Sequence, residues 1–230
     1  MALQSSREAM IRVHGLSKTY GKEGGKTIAL NDVSLDIHEG EFLAILGPSG
    51  SGKSTLLHLL GGMDRPDGGQ IMLRGEDIAN YNEAKRNRYR RDHVAFVFQS
   101  YNLLNELTLL QNILLAPGSG NRQKALETLA SLGLEGKENS FPKQLSGGEQ
   151  QRGAIARALN KDFDLLLCDE PTGALDEASG KAVLDCILDL HKQGKTIVLV
   201  THNTDIASFA DRVITLRDGK IANIATKGAD

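Results

Sequence analysis

The chain has 230 residues, 40% of them hydrophobic and 24% charged, an ordinary balance for a globular protein able to bury a core. Its formal net charge is -2 and its pI about 6.3, without the basic excess that nucleic-acid binders carry. Two cysteines, Cys168 and Cys186, make no disulfide framework and suit a reducing cytoplasmic setting. No apolar run approaches the roughly 20 residues that span a bilayer. Residues 1–10 are polar and lack the apolar centre of a signal peptide. They are expected to form a flexible arm ahead of a single domain over residues 11–230. A role at a membrane would then require another chain to hold this one there.

Residues 11–13, 33–37 and 71–73 mix apolar and polar side chains and predict a partly exposed antiparallel β layer. Residues 42–46, 94–98, 165–168 and 196–200 are short, almost continuous apolar runs. Such runs fit strands buried on both faces of a parallel sheet. Helical patterns over residues 55–60, 122–131, 149–159 and 179–192 separate them. Strands alternating with helices predict an α/β fold. Residues 100–162 show helical pattern and no strand pattern, which predicts an inserted helical subdomain. Near the C-terminus, Asp218-Gly219 between two apolar runs signals a hairpin.

Gly47-Pro48-Ser49-Gly50-Ser51-Gly52-Lys53-Ser54 fits the pattern G-x-x-x-x-G-K-S/T. It follows an apolar strand and opens a helix, the setting that a phosphate-binding loop requires. Its glycines let backbone N–H groups approach phosphate oxygens, and the helix start adds its positive dipole end. Lys53 can reach the β- and γ-phosphates, and the Ser54 hydroxyl can ligate Mg²⁺. In open α/β sheets, ligands bind beyond the carboxyl ends of the strands. The other three apolar runs end at Gln99, at Asp169-Glu170 and at Thr201-His202. Asp169 suits the water shell of Mg²⁺, Glu170 the polarising of an attacking water, and His202 hydrogen bonding near the γ-phosphate. Taken singly, Gln99 could be a loop amide, Asp169-Glu170-Pro171 a plain strand end, and His202 a satisfied structural histidine. Their convergence on the edge that holds the phosphate loop favours function.

Leu145-Ser146-Gly147-Gly148-Glu149-Gln150 precedes a helix and offers free N–H donors, although alone it could be a capped helix start. Together these motifs resemble the ATP-binding subunits of the ABC transporter family. Residues 145–150 resemble that family's signature, residues 47–54 its Walker A loop and residues 165–170 its Walker B strand. Gln99 matches the Q-loop, Ala174-Leu175-Asp176 the D-loop, His202 the switch histidine, and Tyr20 the aromatic that stacks on adenine. The resemblance covers residues 11–225 with the motifs in family order. It implies a P-loop NTPase core with a mainly parallel sheet, an N-terminal antiparallel β layer and an inserted helical subdomain.

The resemblance also implies ATP and Mg²⁺ as cofactors. Lys53, Glu170 and His202 are then the catalytic residues. ATP is bound by Tyr20, Gly47, Pro48, Ser49, Gly50, Ser51, Gly52, Lys53, Ser54 and Thr55, and the metal by Ser54, Gln99 and Asp169. Two such domains pair head to tail, as a homodimer on this reading, and Ser146, Gly147, Gly148 and Asp176 of one contact the nucleotide of the other. ATP closes the dimer and hydrolysis reopens it, which moves an integral-membrane permease on the inner face of the cell membrane. Residues 47–62, 96–104 and 169–176 resemble the bacterial branch of lipoprotein-release, macrolide and antimicrobial-peptide export and cell-division ATPases. An alternative is a soluble ATPase of the same type in assembly or cell-division regulation. A nucleotide sensor that hardly hydrolyses is opposed by the intact Glu170 and His202. Two features depart from the pattern: residues 116–121 are shorter than the usual helical linker, and Gly153 replaces an apolar residue. The basic run at residues 85–91 reads as a solvated face, with lipid headgroups or a partner chain as the alternative contact.

Overall fold

A computed structural model describes residues 9–21, 25–115, 121–173 and 175–227. In chain order the first elements are β1 (Ala9–Tyr20), β2 (Thr27–His38), β3 (Phe42–Leu46), α1 (Lys53–Leu60), β4 (Gly68–Leu73), β5 (Glu76–Asp77), α2 (Glu83–Asp92) and β6 (Val94–Val97). The elements between β6 and the next strand are all helical, among them α3 (Leu109–Leu114), α4 (Arg122–Ser131) and α5 (Gly147–Leu159). Then come β7 (Leu165–Asp169), α6 (Glu177–Lys192), β8 (Thr196–Val200), α7 (Thr204–Ala207), β9 (Arg212–Arg217) and β10 (Lys220–Thr226). No helix of the described residues is long and apolar enough to cross a membrane.

The strands form two sheets. The antiparallel one is ordered β2-β1-β4-β5, and the larger one β10-β9-β3-β8-β7-β6. In the larger sheet every neighbouring pair from β9 to β6 is parallel, and only β10 runs antiparallel. The apolar runs are continuous because both faces of this sheet are covered. Successive residues alternate between two cores. Phe42, Ala44, Leu166, Cys168, Ile197 and Leu199 pack with α3–α6, through residues such as Ile113, Leu129, Ile155 and Val183. Leu43, Ile45, Leu165, Leu167, Val198 and Val200 pack with α1 and the antiparallel sheet, through Leu56, Leu60, Ile11 and Val33. The desolvated Cys168 thiol is pushed well above its ordinary pKa, consistent with a small core residue.

Two expectations change. The arm was placed over residues 1–10, but Ala9 and Met10 belong to β1, and Met10 is buried among the apolar residues of the second core; residues 1–8 lie outside the described residues. The antiparallel strands run well past residues 11–13 and 33–37, because register shifts along β1 interrupt the alternation that marks a strand. The basic run lies on a helix, α2, with Tyr89 its only buried residue, so no apolar periodicity announced it. It remains a solvated face in which Glu83 pairs with Arg86 and Arg90. The expected short linker falls largely on residues 116–120, outside the described residues; Asn121 caps α4, accepting from Lys124 N–H at 2.9 Å.

Gly153 has a packing reason. It is buried in α5, and a Cβ there would lie 2.5 Å from Cδ1 of the buried Leu109 on α3. A larger residue gains about 1 kcal/mol of helix propensity but must displace Leu109. Gly153→Leu is therefore expected to destabilise the protein by about 1–3 kcal/mol, measured by urea unfolding. Unchanged or higher stability would show that the α3–α5 contact gives way freely.

Candidate nucleotide site

The phosphate loop is shaped by what it packs against. Gly52 is the N-cap of α1 at φ 100°, with no side chain capping that helix. A Cβ at Gly52 would lie 2.2 Å from the Ala29 carbonyl oxygen on β2, and one at Gly47 would lie 2.3 Å from the Leu216 carbonyl oxygen on β9. The loop is thus wedged between both sheets where only glycine fits. The first-turn N–H groups of α1 are left for an anion, which the helix dipole favours. Lys53 folds back over the loop, its Nζ donating to the carbonyls of Gly47 at 2.8 Å and Pro48 at 2.9 Å.

Neighbouring strand ends complete the cleft. Ser54 Oγ donates to Asp169 Oδ1 at 3.2 Å. His202 Nδ1 and Glu170 Oε1 share a hydrogen bond of 2.9 Å. Thr201 Oγ1 donates to Glu170 Oε2 at 3.4 Å. Glu170 holds the left-handed backbone conformation, φ 47°, which costs a non-glycine residue about 1–3 kcal/mol. Its N–H donates to the Val200 carbonyl at 3.0 Å, and its carbonyl accepts from Gly173 N–H at 3.2 Å. The resulting open cleft of about 480 Å³ is lined by Ser49–Thr55, Gln99, Asp169, Glu170 and His202, with Thr27, Ala29 and Val200.

Of the expected site residues, Gly47 and Pro48 support Lys53 from behind and do not line this cleft. Tyr20 sits beside it. Its hydroxyl donates to Asp64 Oδ2 at 2.8 Å and also engages the Thr55 side chain. Burial and the Asp64 hydrogen bond raise the Tyr20 phenol above its ordinary pKa. Lys18 Nζ lies 5.1 Å over the ring, a cation–π contact.

Ser146, Gly147, Gly148 and Asp176 are not part of this cleft; they form a second cluster. Ser146 caps α5 in a reciprocal capping box. Its Oγ accepts from Glu149 N–H at 3.2 Å, and Glu149 Oε2 accepts from Ser146 N–H at 2.8 Å. That backbone hydrogen bond, outweighing desolvation, holds the Glu149 carboxyl below its ordinary pKa. Asp176 caps α6 by accepting from Ser179 N–H at 2.9 Å, which lowers its pKa likewise. Ser179 Oγ accepts from Arg152 and would lie 3.0 Å from a Cβ on Gly148, so the two helix starts adjoin. Ala174 lies outside the described residues. Sequence reasoning missed Thr27 and Ala29, which carry no local signal and arrive by sheet packing. It also missed Thr201 as a partner of Glu170, although its place directly before His202 was a usable clue.

No group of three or more His, Cys, Asp or Glu among the described residues could hold a metal ion. Of the residues that line the cleft, Ser54, Asp169 and Gln99 would offer a cation one hydroxyl, one carboxylate and one amide oxygen. That sparse set suits Mg²⁺, which takes most of its ligands from water and phosphate.

A glycine-rich loop between a parallel strand and a helix, faced by Asp-Glu and His from the adjoining strand ends, defines a P-loop ATPase. The ABC transporter family model matches residues 30–173, and the chain belongs to that family. It is 45% identical over 218 residues to a macrolide export ATP-binding/permease protein, MacB, of Sodalis glossinidius; the match takes in 92% of this chain and 33% of that protein. The chain thus spans about one third of the length of such relatives. An uncharacterised ABC transporter ATP-binding protein of Thermotoga maritima is 43% identical, over 92% of this chain and 93% of its own. The fold matches a dimeric ATP-binding cassette, MJ0796, in a post-hydrolysis state bound to ADP and Pi, with TM-score 0.89 and 39% identity over 94% of this chain and 98% of that one.

Gly52→Ala forces both an unfavourable φ and a clash with the Ala29 carbonyl, whereas Gly50, at φ 78°, has open space where a Cβ would go. Gly50→Ala is expected to cost about 1–2 kcal/mol, and Gly52→Ala clearly more. Equal losses in chemical denaturation would contradict the wedging of the loop against β2.

Proposed function

We propose that this chain hydrolyses ATP as one half of a head-to-tail pair and that closure and reopening of the pair drive a membrane permease. The observation that carries this reading is the separation of two motif clusters. Lys53, Ser54, Gln99, Asp169, Glu170 and His202 surround one cleft, while Ser146, Gly147, Gly148 and Asp176 lie outside it. A second subunit that brings its own residues 146–148 and Asp176 to the nucleotide gives the outlying cluster a use. The dimeric state of the ADP-bound relative supports this pairing.

In this reading Tyr20 stacks on the adenine while backbone N–H groups of residues 49–55, which line the cleft, hold the phosphates. Lys53 exchanges its two carbonyl partners for phosphate oxygens and stabilises charge that develops on the transferred group. Ser54, Asp169 and Gln99 hold Mg²⁺, which neutralises phosphate charge. Glu170 orients and polarises the attacking water, and His202, hydrogen-bonded to Glu170, reaches the γ-phosphate. ATP closes the dimer because it binds the closed state better than the open one.

Residues 100–162 act as a helical lobe of the single domain, and this side meets the permease. A groove of about 210 Å³ where α5 adjoins β6 is lined by Met63, Phe96, Phe98, Arg90, Arg157 and Lys161 among others. The relative whose name joins ATP-binding and permease functions supports this coupling. The chain would then sit on the cytoplasmic face of the membrane, held by the permease.

Glu170→Gln removes the base while keeping size and hydrogen bonding. ATP turnover is expected to fall at least about 100-fold, with ATP binding retained and an ATP-dependent dimer accumulating on size-exclusion chromatography. Steady-state hydrolysis at the parent rate would refute the role given to Glu170. Co-purification with a soluble partner and no membrane protein would refute the coupling.

A further inference from the structure

Gln151 joins the two clusters. It lies on α5, three residues beyond Gly148, and is 2% exposed. Its Nε2 donates to the carbonyl of Phe98 at 3.3 Å and to that of Pro171 at 3.1 Å. The first carbonyl belongs to the peptide that leads into Gln99, and the second follows directly on Glu170. Both N–H donors of one amide are therefore spent on the backbone beside two cleft residues. Its Oε1 is buried without a partner among the described residues. The opposite flip would set that oxygen against two carbonyl oxygens, so the two acceptors dictate the orientation.

The same helix holds the segment after Gln99 as well. Arg157 Nη1 donates to the carbonyl of Asn102 at 2.5 Å and Nη2 to that of Tyr101 at 3.4 Å. The Tyr101 hydroxyl lies 2.8 Å from where a Cβ on Gly147 would stand. Asn102, like Glu170, has a left-handed backbone, with φ 50° and 47° respectively. Conformations of this kind persist only where neighbouring contacts over-determine them. Gln151 and Arg157 supply such contacts at both places.

From this geometry we infer that Gln151 is a positioning residue: it locks the backbone at Gln99 and Glu170 to the helix that begins with Ser146–Gly148, so that a shift at one nucleotide site is passed to the surface offered to the other. Gln151 touches no nucleotide itself. The inference rests on the roles proposed for Gln99 and Glu170.

The test is steady-state ATP hydrolysis by the full chain. Gln151→Met keeps nearly the same volume without donors, and Gln151→Glu sets a carboxylate against the two carbonyls. Each is expected to lower kcat at least about tenfold, in line with the cost of small misplacements, while KM for ATP stays within about threefold. The thermal unfolding midpoint is expected to fall in both variants, more in Gln151→Glu, because two buried carbonyls lose their donor; the readout that a merely structural role would leave unmoved is kcat of the folded protein. A kcat within about twofold of the parent in a folded variant overturns the inference. So does loss of the fold in both variants, which would make Gln151 a packing residue. Glu170→Gln measured alongside separates the two readings. Turnover lost there but kept in the Gln151 variants overturns only the positioning role. Turnover kept in Glu170→Gln overturns the catalytic reading and this inference with it.

Discussion

The parallel register of β3, β8 and β7 is the constraint on which the rest depends. Ile45 pairs with Val200, and Val200 with Asp169. These three residues stand at one level across the sheet, so the chain that follows each emerges at the same edge. One strand releases the phosphate loop, the next Thr201 and His202, the third Glu170. Residues separated by more than 100 positions in sequence are thereby set within hydrogen-bonding distance, as in the Ser54–Asp169 contact. Backbone hydrogen bonds, not side-chain attraction, do this alignment, and burial of both sheet faces keeps the register from slipping.

Around that edge the protein tolerates local cost. Glu170 keeps an unfavourable backbone, and the loop glycines give up conformational freedom to fit against β2 and β9. The two apolar cores that sandwich the sheet supply the surplus that makes such strain bearable. Lys53 is satisfied by its own loop, so the buried ammonium is not left unpaired and the loop is preorganised around it.

The helical part between β6 and β7 carries the second cluster on α5, and α5 reaches back to the edge through Gln151 and Arg157. Its approach to α3 is close enough that any Cβ at position 153 must displace the Leu109 side chain. Two clusters of motif residues, one lining the cleft and one outside it, are therefore tied by one helix.

Much of this was legible in the residues alone. The four apolar runs located four of the five parallel strands to within a residue, while β9 read only as an arm of the C-terminal hairpin; the eight-residue loop with its flanks announced phosphate binding, because these signals are local: unbroken burial and a fixed backbone shape. The strand-end rule then selected Gln99, Asp169, Glu170 and His202. Less was legible where local signals are weak. The long β1 and β2 hid behind bulges, α2 lacks an apolar stripe, and α3 is too short to show one. Thr27 and Ala29 at the cleft, the reason for Gly153 and the two hydrogen bonds of Gln151 could not be read from the chain at all, and the Thr201–Glu170 contact was signalled only by the place of Thr201 at a strand end. The amino-acid sequence by itself determined which strands are buried and where the phosphate-binding loop lies. Only the tertiary structure decided which of them meet and which stand apart, because strand order, register and helix approach are set by packing between segments distant in the chain.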